Sequence, residues 1–197
     1  MTLLIHFLGP PKISRDGDPV DVPGHRPLAL LAYLLVTGRA HSRQHLVDLL
    51  FEGSDDPRAS LRWTLSKLRK AIGSDYVLAD RSEVAFNFDS DFWLDVTAFE
   101  AGEIDLYRGD FLEGMHLRDA YRFEDWLFFE RERLRGSYQA ALEEQLVEYE
   151  GRDDYAVAIE TAHQLLRLDN LREDWYRALM RAYAHLGKRE AALAQYA

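Results

Sequence analysis

The chain has 197 residues, 47% of them hydrophobic, which is enough apolar material for one large or two small cores. It contains no cysteine, and this excludes a disulfide frame, a thiolate zinc site and a thiol nucleophile. The net charge of −10 is unevenly spread: residues 1–98 hold 11 Lys and Arg against 13 Asp and Glu, whereas residues 99–197 hold 13 against 21, so the acidic total does not exclude a nucleic-acid partner for the first half.

The opening run TLLIHFLGPP is short, is broken by Gly9-Pro10-Pro11 and has no basic segment before it. It is a strand rather than a signal peptide, and no apolar run is long enough to span a bilayer, so the expected location is the cytoplasm with no membrane partner. Leu3–Leu8, Lys12–Arg15 and Pro19–Val22, with the turn Asp16-Gly17-Asp18, predict a small N-terminal antiparallel sheet. Pro27 opens an apolar helix from Leu28 to Val36 that Gly38 ends. Ser42 caps a second helix, Arg43–Phe51, with Leu46, Leu49 and Leu50 inward.

After the acidic loop Gly53-Ser54-Asp55-Asp56 comes PRASLRWTLSKLRKAIG, residues 57–73, with five cations and no acid. Asp56 suits the N-cap, Pro57 the first helical position and Gly73 the stop. Leu61, Leu65, Leu68 and Ile72 form the buried stripe. Trp63, Ser66, Lys67 and Lys70 point away from it, flanked by Arg62 and Arg69. Alone, such a helix is better explained by a solvated cationic face, which is what charge runs usually mean. Its neighbours decide otherwise, because Tyr76–Ala79 and Val84–Phe88 form a hairpin around Asp80-Arg81-Ser82-Glu83. Three helices, the third cationic, then a hairpin, is the order of a winged helix-turn-helix of the OmpR type.

Downstream, Phe123–Glu150 is one long amphipathic helix with Phe123, Leu127, Leu134, Tyr138, Ala141, Leu142, Leu146 and Tyr149 near one face. The aromatic cluster Tyr121, Phe123, Trp126, Phe128 and Phe129 is expected mainly in the core, an interdomain or dimer contact being the minority reading. A repeat appears at an offset of 34 residues: Leu142 maps to Tyr176, Leu146 to Met180, Tyr149 to Tyr183, Ala158 to Ala192, Ile159 to Leu193 and Ala162 to Tyr196. This is the tetratricopeptide period, with Asp153-Asp154 and Gly187-Lys188 in successive turns. Asn170 stands where the repeat often has Pro. The last repeat has no polar capping helix, which predicts that the native protein continues beyond Ala197.

Other constellations carry no chemistry. His41, His45 and Asp48 have helical spacing but lack an HExxH pattern and a sulfur ligand, so no metal is expected. Glu143-Glu144 and Asp153-Asp154 point apart, and neither Ser90 nor Asp95 lies in a nucleophile elbow. No GxxxxGK[ST] occurs. No enzyme activity and no cofactor are expected.

The segments LLIHFLGPPKISRDGDPVDVPGHRPLALLAYLLV and SRQHLVDLLFEGSDDPRASLRWTLSKLRKAIG resemble the N-terminal domain of the SARP family of transcriptional regulators. DVTAFE, LYRGDFLEG and FEDWLFFERERLRGSYQAALEEQL resemble the bacterial transcriptional activator domain that follows in that family. The resemblance implies a mainly α protein with small β elements: a winged-helix DNA-binding domain over 1–93, then a TPR-like all-α activator domain over 94–197, truncated at its C-terminal end. It implies a sequence-specific regulator, an activator, that binds direct repeats near a promoter on double-stranded DNA, with the helical domain aiding homodimerisation on DNA and contact with RNA polymerase.

On that reading Arg62, Ser66, Lys67 and Lys70 face base edges and nearby phosphates, and Arg58 and Arg69 face phosphates. Arg43, with the amides at its helix start, clamps a phosphate. Arg81 on the wing approaches the minor groove, although the family commonly has Gly in that turn and Glu83 sets a carboxylate beside the Arg. Trp63 either packs on the wing or preceding loop, or touches a thymine methyl or sugar. The alternative is a protein-interaction scaffold in which the acidic repeats act and the winged helix binds no DNA; neutralisation of the cationic face by Asp48, Asp55, Asp56 or Glu83 would favour it.

Overall fold

The computed structural model describes residues 2–195. They fall into two compact units, the first ending at Glu132 and the second beginning at Arg133.

In the first unit, β1 (Leu3–His6), β2 (Lys12–Arg15) and β3 (Asp18–Pro19) form an antiparallel meander. β1 alternates buried and half-buried residues, with Leu3 and Ile5 fully inside. The reversal between β2 and β3 is tighter than the expected three-residue turn, and the third strand is correspondingly earlier and shorter than Pro19–Val22. Arg15 pairs with Asp18, leaving Asp16 and Gly17 at φ 50° and 95°. Two successive positive φ angles make a mirror-image turn whose twist matches the strands, and Asp-Gly is a favoured pair for it. The sheet is not purely antiparallel either. β7 (Phe92–Leu94), which local pattern did not reveal, lies parallel to β1, giving the order β3-β2-β1-β7.

Three helices follow the meander. α1 (His25–Thr37) starts two residues ahead of Pro27, which sits in the first turn where its missing N–H would have had no helical partner. Gly38 closes it in the left-handed conformation at φ 65°. α2 (Arg43–Leu50) is capped by the Ser42 hydroxyl, which accepts from the His45 N–H at 3.1 Å. α3 (Pro57–Ile72) is capped by the Asp56 carboxylate on the Ala59 N–H at 2.9 Å. Leu61, Leu65, Leu68 and Ile72 are all buried, as the stripe required.

The wing is three-stranded rather than a plain hairpin. β5 (Val77–Ala79) and β6 (Glu83–Phe86) pair antiparallel, and β4 (His41–Ser42) adds to the far edge of β6. β5 begins at Val77 because Ser74–Tyr76 forms a turn of 3-10 helix first.

After β7 the short α4 (Asp95–Glu100) opens on a fully buried carboxylate. Asp95 accepts from the Phe7 N–H at 2.8 and 2.9 Å and from the Leu8 N–H at 3.0 Å, with the Arg108 guanidinium at 3.4 Å. Close by, Phe7 O accepts from the Leu112 N–H and Leu8 bridges to Phe111. Arg131 donates to the carbonyls of Phe111, Leu112 and Met115 and so fixes that loop.

The helix containing Arg131 is α5 (Tyr121–Gly151), a single long element as its pattern predicted. Its aromatic cluster divides. Phe123 is fully buried, but Tyr121, Phe128 and Phe129 are 72%, 59% and 68% exposed, so the expectation of a core cluster fails for them. Phe128 and Phe129 lie one and two residues past the buried Leu127, and a turn of 3.6 residues carries them off the inward stripe.

In the second unit, α6 (Tyr155–Leu168), α7 (Glu173–His185) and α8 (Arg189–Ala194) pack in sequence. Leu142, Leu146, Ala158, Ala162, Leu165, Ala178, Leu179, Ala182 and Ala192 form the core. The 34-residue period is visible in the backbone. Asp153 and Gly187, one period apart, both stand in the left-handed region, at φ 58° and 70°. The Asp154 N–H donates to Tyr149 O and the Lys188 N–H to Tyr183 O, each at 2.9 Å. Identical helix stops recur at the expected spacing. Ile159 and Leu193 are less alike than the repeat implied, since Leu193 is exposed. The match of Ala162 to Tyr196 lies outside the described residues.

Candidate nucleic-acid interface

The outward side of α3 carries two distinct surfaces. A cleft of about 580 Å³ runs between the start of α2, the α3 face and the wing turn, and Arg43, Arg58, Arg62 and Arg81 all line it. A second hollow continues along α3 past Arg62, Ser66 and Arg69. The sheet order explains this convergence: β4 joins the N-terminus of α2 to the wing, so Arg43 and Arg81, 38 positions apart, share one wall with α3.

Local hydrogen bonds hold this wall in shape. The Arg43 N–H donates to Ser82 O at 2.8 Å and its Nε donates to Asp80 O at 2.8 Å. Arg43 therefore clips α2 to the wing turn. Inside that turn the Asp80 carboxylate accepts from the Ser82 N–H at 2.7 Å, the Ser82 hydroxyl at 2.9 Å and the Glu83 N–H at 2.8 Å. Those donors, the Glu83 amide first, hold the Asp80 carboxyl below the usual carboxylate range. Asp80 was not among the sequence candidates. An Asp accepting from the amides two and three residues on is a familiar turn signal, and the Asp-Arg-Ser-Glu stretch contained it.

The nine sequence candidates separate on inspection. Arg58, Arg62, Ser66, Lys70 and Arg81 are exposed, and among the described residues none of these four cations ion-pairs with a carboxylate. Arg69 is half-buried, and its Nε and Nη2 donate to Val77 O at 3.2 and 2.8 Å. Its guanidinium thus ties α3 to β5. Trp63 stands apart from the wing, beside the loop at Gly53 and Ser54; it is 58% exposed, and Lys67 Nζ sits 4.7 Å from its ring centroid. Lys67 and Trp63 form a cation–π pair one turn apart on the helix. The acids that could have neutralised the face are partly engaged elsewhere: Asp48 accepts from Gln44 Nε2, and Asp56 caps α3.

Among the described residues no group of three or more His, Asp or Glu is set to hold a metal, and no helix is long and apolar enough to cross a membrane. His41 and His45 instead stack at 5.2 Å beside Tyr33, with His41 Nε2 2.7 Å from the Thr37 hydroxyl. Burial, helped by Arg39 and His45, lowers the His41 pKa to about 4.

A wing, a capped cationic helix and a repeat array after it define a two-part regulator architecture. The family model for the bacterial transcriptional activator domain matches residues 95–197. The chain belongs to that family of transcriptional regulators, and the winged helix in front of the domain gives it the SARP-type order that the motifs implied. Among solved structures it is similar to EmbR of Mycobacterium tuberculosis, determined in complex with a low-affinity phosphopeptide, with a TM-score of 0.67 and 22% identity over 98% of this chain. That likeness bears on the fold. The chain spans 57% of the length of that protein. Comparison with curated proteins gives no match.

Proposed function

We propose that this protein is a sequence-specific regulator that binds double-stranded DNA by placing α3 in the major groove. The observation that carries this is the convergence of Arg43, Arg58, Arg62 and Arg81 on one cleft beside a helix whose exposed Arg58, Arg62 and Lys70 make no ion pair with a carboxylate among the described residues. Arg62 and Ser66 are the candidate base readers, and Arg58, Arg81 and Lys70 the candidate phosphate contacts. Arg43 contributes the helix start and its remaining donors to a phosphate while its Nε supports the wing. Arg69 acts through the hairpin it holds. Membership of the activator family and its domain order support promoter direct repeats as the target, a homodimer on DNA and contact with RNA polymerase through the helical part.

Duplexes selected from genomic fragments by the full protein supply the test. On the selected site Arg62→Ala is expected to lose roughly 1–3 kcal/mol of binding free energy, and less on random duplex. Equal losses on both would make Arg62 a phosphate contact. Absence of any selected fragment would remove the DNA reading in favour of a protein scaffold.

A further inference from the structure

The hydrogen bonds that the Asp80 side chain accepts all end on one of its two oxygens. Oδ1 takes the Ser82 N–H, the Ser82 hydroxyl and the Glu83 N–H, and among the described residues Oδ2 takes none. The Asp80 N–H returns a bond to Glu83 O at 3.1 Å, so the wing turn is closed from both ends. That turn then presents two acceptors to a single arginine. Asp80 O receives Arg43 Nε, and Ser82 O receives the Arg43 N–H. Arg43 is the first residue of α2, and with Arg62 it lines both hollows beside α3. A free arginine loses much rotamer freedom when a ligand fixes it. Here Nε is already fixed by the turn, and the terminal nitrogens keep their donors for a partner.

We propose that Asp80 is the positioning residue of this cleft: Oδ1 shapes the turn, the turn holds Arg43, and Arg43 makes the phosphate contact. The inference rests on the DNA reading given above. Asp80 itself touches no phosphate, because a carboxylate has no donor to offer one. Its charge stands instead on the rim of a cleft lined by four arginines and weakens the attraction of that cleft for a polyanion. The two oxygens therefore act in opposite senses. Oδ1 supports binding through geometry, and the net charge opposes it. Substitutions separate the two. Alanine removes both, whereas asparagine keeps an Oδ1 acceptor for the same three donors and removes only the charge.

The test uses the full chain and a duplex that it selects from genomic fragments, with binding followed by anisotropy at several salt concentrations. Asp80→Ala should weaken binding about tenfold, the loss of one charged hydrogen bond in good geometry. Asp80→Asn should bind as tightly as wild type or more so, with a slope of log K against log salt steeper by up to about 1. In an Arg43→Ala background Asp80→Ala should cost less than about twofold, since the side chain it aims is gone. Arg43→Lys keeps the cation without a nitrogen at the Nε position; it should lose as much as Asp80→Ala and leaves the turn untouched. NMR of isotope-labelled protein reads the clip without DNA. The Arg43 Nε–H should exchange slowly with water in wild type and Asp80→Asn, and fast in Asp80→Ala. Wild-type affinity in Asp80→Ala or Arg43→Lys, asparagine as weak as alanine, or a full further loss in the Arg43→Ala background would each overturn the proposal. So would equal exchange of the Arg43 Nε–H in all three proteins. If no duplex is selected, the DNA reading fails and the phosphate role of Arg43 fails with it, while the exchange measurement still decides whether Asp80 holds Arg43.

Discussion

His41 shows how one residue ties the domain to pH. Its ring is buried between Tyr33 and His45, and its pKa of about 4 lies below the ordinary 6.5. The folded state therefore resists a proton that the unfolded chain accepts. The stability contributed by neutral His41 is complete above about pH 6.5, falls as the pH drops towards 4, and is flat below. Denaturation of the protein and of His41→Gln across this range should show the wild-type advantage shrinking as the pH falls. An advantage independent of pH would mean that the ring is solvated. Sequence spacing suggested metal for His41 and His45 and then discounted it, whereas the actual partners, Thr37 and Tyr33, come from the preceding helix and cannot be read from the histidines themselves.

Among the elements, α3 was the most legible because its signals are local. Asp56, Pro57, the leucine stripe and Gly73 all act within or next to the helix, and each behaves as its chemistry dictates. The roles of individual cations were not legible, since a wheel gives direction but not what stands there. Arg69 flanks the outward face on the wheel and meets Val77 O from the wing. This separates it from Arg62 in a measurable way. Arg69→Ala should lower folding stability by about 1–2 kcal/mol, from the loss of a half-buried charged donor to the carbonyl of buried Val77. Arg62→Ala, on an exposed position, should stay within about 0.5 kcal/mol of wild type. Urea titration of the two variants checks the contrast; equal midpoints would detach Arg69 from the hairpin. β7 escaped prediction for the opposite reason: Phe92-Trp93-Leu94 is too short to declare itself, and its partner strand lies at the other end of the unit.

At the scale of the whole molecule, charge placement outweighs net charge. A chain at −10 is repelled by DNA at long range, and the cleft beside α3 has to overcome this through local contacts. Binding driven by that cleft should weaken steeply with salt. For about four to six neutralised phosphates the slope of log K against log salt is roughly −4 to −5. Anisotropy titrations between low and moderate salt measure it, and a flat response would exclude the proposed mode. The repeat architecture was readable in advance because a 34-residue period is a property of sequence alone, whereas the cleft is assembled from three separated segments and needed the fold.

The parallel pairing of β7 with β1, and the grip of Asp95 on the Phe7 and Leu8 amides, impose an order in time. During synthesis β1 can pair with β2 at once, but its other edge must wait unpaired until residues 92–95 leave the ribosome, and until 111–112 do so for its final contacts. The N-terminal unit therefore completes its own sheet only after the ribosome has begun the activator domain. A nascent chain halted between the two would hold a formed α3 on an unfinished support.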